Sequence, residues 1–269
     1  MKLKVLVDNN TYIDQYYCGE PAVSYYIEDE DARLLLDVGY SDLFIKNANA
    51  LNVELKKVNT IVISHGHDDH TRGLKYYFEH DIAGQISIIA HQDTFKEKVI
   101  DNLKICSPIL QDELKEKCNL ILSKEPKKVS ENLIFLGEIP KINDFENRKP
   151  IGKQVEGEIL VEDYVMDDTA LAYKSENGIY IITGCSHSGI CNIVEYAKQV
   201  CNDNRVLGII GGFHLFKVNE RVHKTIDYLI QNNIKELYPC HCTSFNVRAE
   251  IHKTLPVKEV GVGLEVNWQ

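Results

Sequence analysis

The chain has 269 residues, of which 44% are apolar and 26% charged, and its formal net charge is −10. This composition supplies a full apolar core, and no apolar run approaches the roughly 18 residues that a membrane span needs. An acidic chain repels nucleic-acid phosphate unless basic side chains are concentrated locally. Its dense basic stretches, Lys124–Lys128 and Arg148–Lys153, are short, so no nucleic-acid partner is expected. The opening residues Met1–Asn10 are too short in apolar length for a secretion signal. A cytoplasmic setting is therefore expected, with the eight cysteines as reduced thiols.

Along the chain, strand-like and helix-like patterns alternate. Leu3–Val7, Tyr25–Glu28 and Arg33–Asp37 read as short strands, and Asp42–Leu51 as a helix. Thr60–Ser64 is a continuous apolar run of strand length that ends in a His-rich loop, and Ile86–Ala90 is another such run. From about residue 92 to 168 the pattern is mixed, with helical segments near Asp93–Leu103 and Gln111–Lys117 and a polar piece over Lys141–Glu158. A partly inserted lid over about residues 92–162 of one domain, 1–269, is the expectation. Strands then follow at Ile179–Thr183, Val206–Ile210, Ile234–Tyr238 and Val260–Val266. The helices among them are Gly189–Val200, Glu220–Asn232 and Ser244–Thr254. In the second of these helices, Val222, Ile226, Leu229 and Ile230 are read as facing inward.

Such alternation implies sheets covered by helices. Four of the ten histidines, His65, His187, His214 and His241, directly follow apolar strand runs. The carboxyl ends of strands converge on one rim of an α/β sheet, where sites form.

The densest chemistry lies in His65-Gly66-His67-Asp68-Asp69-His70. Two histidines one residue apart on a tight loop can bind one ion, and Asp69 and His70 can turn to a second. Imidazole nitrogen and carboxylate oxygen suit zinc, iron or manganese. This segment resembles the HxHxDH signature of the metallo-β-lactamase superfamily. Leu36-Asp37-Val38-Gly39, Ile182-Thr183-Gly184-Cys185-Ser186-His187 and Tyr238-Pro239-Cys240-His241-Cys242 resemble further strand ends of that family. Gly137-Glu138-Ile139-Pro140, Asp167-Asp168-Thr169-Ala170-Leu171, Gly184–Ile190, Gly211-Gly212-Phe213-His214-Leu215 and His241-Cys242-Thr243 narrow the likeness. They resemble the branch of 7,8-dihydropterin-6-yl-methyl-4-(β-D-ribofuranosyl)aminobenzene 5′-phosphate synthase.

The resemblance implies an αββα four-layer sandwich and two divalent metal ions, zinc first, with iron or manganese as alternatives. It implies His65 and His67 on the first ion, and Asp69, His70 and His241 on the second. His187 is assigned as the first ion's third ligand, because it emerges at the end of Ile179–Thr183. Cys185 stands where the family has a bridging aspartate, and it reads either as a thiolate ligand or as a buried structural cysteine. Asp167 and Asp168 stand where the family has an earlier histidine, and either can be a ligand or support one. Asp69, which orients the attacking water in hydrolytic members, and His214 are the catalytic candidates. Gly211 and Gly212 are read as allowing close backbone approach to a ligand there.

Cys240 and Cys242 are expected to point away from His241 on an extended strand. Tyr76, Tyr77, Phe78 and Phe213 read as a stack for a flat ring or as core. His80, His91, His223 and His252 read as surface or packing residues. The implied activity is metal-dependent hydrolysis, or a related transfer, at an ester or phosphoester-like bond of a small molecule. Pterin- or phosphate-bearing substrates fit that class. The rivals are a nuclease of the same fold, an iron-binding redox protein, and a metal-dependent binding protein without turnover.

Overall fold

In the computed structural model, which describes every residue except 81 and 83, the strands form two large mixed sheets and one small one. The first large sheet is seven-stranded. Its order is Glu265–Asn267, Lys2–Val7, Ser24–Asp29, Ala32–Leu36, Thr60–Val62, Ser87–Ala90 and Asn119–Leu122. Pairing is antiparallel up to Ala32–Leu36 and parallel beyond it. The second large sheet is six-stranded, in the order Glu236–Pro239, Val206–Gly211, Gly178–Thr183, Ala170–Ser175, Leu133–Phe135 and Lys127–Lys128. Its first three strands are parallel.

Strands covered on both faces must be apolar throughout; Gly178–Thr183 is buried at every residue. Three apolar clusters define the layers. One, with Leu34, Val62, Leu171, Ile182 and Ile210, lies between the two large sheets. A second packs the helices Leu43–Ala50, Gly73–Glu79 and Gln111–Lys117 on the outer face of the first sheet. A third packs Ile190–Cys201, Glu220–Gln231 and Phe245–His252 on the outer face of the second. Helix, sheet, sheet, helix is the expected αββα sandwich.

Several local expectations are corrected. No helix spans Asp93–Leu103: Lys98–Ile100 and Leu103–Lys104 are strands there, paired with Lys153–Glu156 and Ile159–Glu162 in a four-stranded sheet. Lys98 is drawn inward to two aspartates, a tertiary demand that helical periodicity does not register. The stretch 92–162 is not one piece, because Asn119–Leu122 and Leu133–Phe135 are built into the two large sheets. Those strands and Ala170–Ser175 were not foreseen, and the last strand is only Glu265–Asn267. Ile230 points outward and is 46% exposed.

The helix Ile190–Cys201 begins next to the rim, and its start is held from a distance. The Glu146 carboxylate accepts from the amides of Cys191 at 3.1 Å and Asn192 at 2.8 Å, satisfying donors that a helix start leaves free.

Candidate metal centre

The parallel strands of both sheets end at one rim. Ala32–Leu36 delivers Asp37, Thr60–Val62 the His65–His70 loop, Gly178–Thr183 Cys185 and His187, and Glu236–Pro239 His241. The loop after Gly178–Thr183 must pass close to its neighbour. A β-carbon on Gly184 would fall 2.1 Å from the Ser64 hydroxyl, so glycine is required there.

The side chains meet in two adjoining groups. In the first, His65 Nε2 lies 3.0 Å from His67 Nδ1 and 3.2 Å from His187 Nε2. Burial, with neighbouring imidazoles, holds His65 and His187 well below the usual histidine range. Burial and Lys98 bring His67 down to about 4. These rings are neutral near pH 7, and one proton cannot serve three nitrogens that face one another. Ligands roughly 2.0–2.1 Å from a tetrahedral ion lie roughly 3.3–3.4 Å apart, close to the spacing seen here.

In the second group, Asp69 Oδ2 lies 3.5 Å from His70 Nε2 and 3.3 Å from His241 Nε2, and Cys185 Sγ lies 3.3 Å from His70 Nε2. Asp69, His70, Cys185 and His241 have donor atoms all within 4.8 Å of one another. Against burial, the neighbouring His70 and His241 hold Asp69 well below the usual carboxylate range. Against burial, Asp69 and Asp37 raise His70. The donor set of both groups, imidazoles with a carboxylate and a thiol, suits divalent cations of the zinc type.

A surrounding layer fixes these rings. The Asp37 carboxylate accepts from His70 Nδ1 at 2.6 Å, the Ser64 hydroxyl at 2.6 Å and the Ser64 amide at 2.7 Å. It thereby turns His70 Nε2 toward Asp69. Asn9 Oδ1 lies 2.9 Å from His241 Nδ1. Asp167 accepts from the Gly66 amide at 2.7 Å and from the buried Lys98 ammonium at 2.6 Å. Asp168 accepts from the Ser188 amide at 2.9 Å and from its hydroxyl. Asp167 and Asp168 therefore brace the loops of His67 and His187 and do not enter either group.

His214 lies beside the first group, its ring 4.2 Å from that of His187 between centroids. Burial and then Arg221 lower it to about 4. It lines a cavity of about 510 Å³ together with His187, Lys149, Lys217, Arg221 and Phe216, and no carboxylate is among the described lining residues.

Other expectations at the rim are revised. Gly211 and Gly212 do not open toward a ligand; β-carbons there would strike the Thr183 carbonyl and the Cys242 sulfur. His241 adopts the left-handed conformation, with φ of 48°, so the chain is not extended there. Cys242 consequently turns back, and its thiol donates to the Cys185 carbonyl at 3.4 Å, whereas Cys240 contacts the Tyr25 hydroxyl. Tyr77 and Phe213 are core, and Tyr76 and Phe78 pack against it. His80, His223 and His252 are exposed. His91 is buried against Glu138, at 3.2 Å.

Sequence reasoning missed Asp37, Asn9, Lys98 and the three cavity cations as functional residues. Asp8 and Asn9 follow the strand Lys2–Val7, so the strand-end rule applied to histidines would have found them had it been applied to every polar type.

The profile of the Metallo-beta-lactamase superfamily matches residues 19–198. The chain belongs to this superfamily. Two relatives in Methanocaldococcus jannaschii extend the likeness beyond the profile. An uncharacterized protein is 34% identical over 254 residues, 93% of each chain. The 7,8-dihydropterin-6-methyl-4-(beta-D-ribofuranosyl)-aminobenzene-5'-phosphate synthase is 32% identical over 261 residues, 91% of this chain and 88% of that protein. Among solved structures, a metal-dependent hydrolase of the beta-lactamase superfamily superposes with a TM-score of 0.84. That match has 24% identity and covers 100% of this chain and 99% of the other, which establishes the metallo-β-lactamase fold. No described helix is long and apolar enough to cross a membrane.

Proposed function

We propose that this protein is a dinuclear metal-dependent hydrolase that cleaves an ester or phosphoester-like bond in a small anionic molecule. The observation that carries the reading is two adjoining ligand groups beside a cavity lined by Lys149, Lys217 and Arg221. In this reading His65, His67 and His187 hold one cation, and Asp69, His70 and His241 hold the other, with zinc the first choice. Bound there, the two cations supply Lewis acidity, polarising the bond under attack and lowering the pKa of water to about 7.

The chain's own groups do the rest. Asp69, kept ionised beside His70 and His241, can accept a hydrogen bond from the attacking water and orient it. His214, neutral near pH 7, donates its ring N–H to an oxygen of the substrate or leaving group. Lys149, Lys217 and Arg221 draw in phosphate or carboxylate, and Phe216, 55% exposed at the cavity, offers a face to a flat ring such as a pterin. The net charge of −10 disfavours nucleic acid as substrate. The eight unpaired cysteines fit a cytoplasmic setting.

The test is elemental analysis of the purified protein together with a screen of phosphomonoesters, phosphodiesters, lactones and thioesters. Two zinc ions per chain and turnover abolished by chelation are expected. A metal-loaded protein that turns over none of these classes would overturn the hydrolytic reading. The synthase name of the 32% identical relative favours a second reading, transfer to an acceptor other than water. Turnover in heavy-oxygen water separates the two, because hydrolysis must place the label in product and transfer must not.

A further inference from the structure

Cys185 stands apart from the other buried cysteines. Cys191 and Cys201 belong to the apolar cluster under the helices of the second sheet, and Cys240 to the cluster between the sheets. Cys185 is 4% exposed yet belongs to none of the apolar clusters. Its sulfur faces His70 Nε2 at 3.3 Å. Like Asp69, it converges with donors of both groups, once with Asp69, His70 and His241 and once with His65 and His187.

The other buried acids at the rim hold protein groups, although Asp168 Oδ1 has no hydrogen-bond partner. Asp37 holds His70 and Ser64, Asp167 holds Gly66 and Lys98, and Asp168 holds Ser188. Two divalent cations carry four positive charges. Asp69, the carboxylate of the two groups, would offset one of them, because imidazole binds a metal in its neutral form. A low-dielectric site favours a further anion between two such charges.

We infer that Cys185 binds as a thiolate shared by both ions, so that the centre is a mixed nitrogen, oxygen and sulfur site. On binding, the thiol proton is released to solvent and the sulfur lone pairs take its place on the metals. A thiolate in that position selects borderline and soft ions, zinc or cobalt, over manganese or magnesium. This inference rests on the dinuclear reading above, and its test separates the two.

The experiment is a titration of the metal-stripped, full-length protein with cobalt(II) alone, followed by absorption. The expected result is visible ligand-field bands together with an intense near-ultraviolet band from thiolate-to-cobalt charge transfer. Cys185→Ser should keep the ligand-field bands and lose the near-ultraviolet band, and Cys242→Ser should keep both. Ligand-field bands without charge transfer in the unaltered protein would overturn the Cys185 assignment and leave the metal reading intact. Loss of the charge-transfer band in Cys242→Ser instead would overturn it too. A protein that takes up no cobalt would overturn both readings.

Should Cys185→Ser fail to fold, zinc-edge X-ray absorption of the unaltered protein gives the answer. Sulfur at about 2.3 Å, at about one sulfur per zinc, is expected for a shared thiolate. About half a sulfur per zinc, the average for a thiolate on one ion of two, would overturn the sharing, and no sulfur would overturn the assignment.

Discussion

The two halves of the centre are held by different means. His70 and His241 are fixed through their own rings, by Asp37 on one Nδ1 and Asn9 on the other. Of the other half, the His65 ring meets the Ser64 hydroxyl at 3.1 Å, but His67 and His187 are fixed through their backbones: Asp167 grips Gly66, and Asp168 grips Ser188. The unused His67 Nε2 is buried without a hydrogen-bond partner. Asp69 and Cys185 lie within reach of both halves, so the contrast lies in how the rings are held. A ring held by an acceptor keeps its tautomer and its basicity, whereas a ring held by its loop keeps its position. The first half should therefore respond to changes in packing, and the second to changes in hydrogen bonding.

The sharpest way to break this contrast is to remove a ligand from one half. His187→Ala should reduce the metal content from two ions per chain to one and leave activity near background, as read by elemental analysis and turnover. Both ions retained at full occupancy would return the third ligand position to Asp168. Next comes Lys98→Met, which leaves Asp163 and Asp167 buried without their cation. Breaking a buried pair in this way costs about 3–5 kcal/mol, measurable by urea denaturation, and metal should be lost first from the His65 and His67 side.

The same pair has a signature in pH. Against burial, the Lys98 ammonium beside Asp167 lowers that carboxyl from its ordinary value. Its contribution to stability is therefore present above about pH 4, the unfolded carboxylate range, and is lost as pH falls through the lower folded value. Lys98→Met should flatten this acid limb in denaturation curves taken at successive pH values.

The smaller effects test the second half against the first. Asp37→Asn weakens the hold on the His70 ring and should cost up to about 100-fold in metal affinity or turnover, within the range for groups behind a ligand. Asp168→Asn, which acts on Ser188 and not on a ring, should cost about 10-fold, at the lower end of that range. Asn9→Ala, at a more exposed hydrogen bond, should cost less than either. If Asp168→Asn proved costlier than Asp37→Asn, the distinction between ring-held and backbone-held halves would fail.

The sequence by itself determined the parts of this protein whose physics is local. Apolar runs of strand length named most of the sheet strands and helices. Four potential ligands in six residues, His65 to His70, need only their own loop to converge, and His187 and His241 could be placed by the ends of the strands that carry them. What only the tertiary structure decided depends on residues far apart in the chain. Lys98 overrode helical periodicity because two aspartates more than sixty positions away, Asp163 and Asp167, could pair with it inside the fold. Asp37 was legible as part of a motif, but its role appears only when Ala32–Leu36 and Thr60–Val62 lie side by side. The same holds for Cys185 among eight cysteines. A thiol's surroundings, an apolar cluster or five ligand side chains, are set by which strands pack together, and burial of that kind is a property of the assembled sandwich rather than of any stretch of sequence.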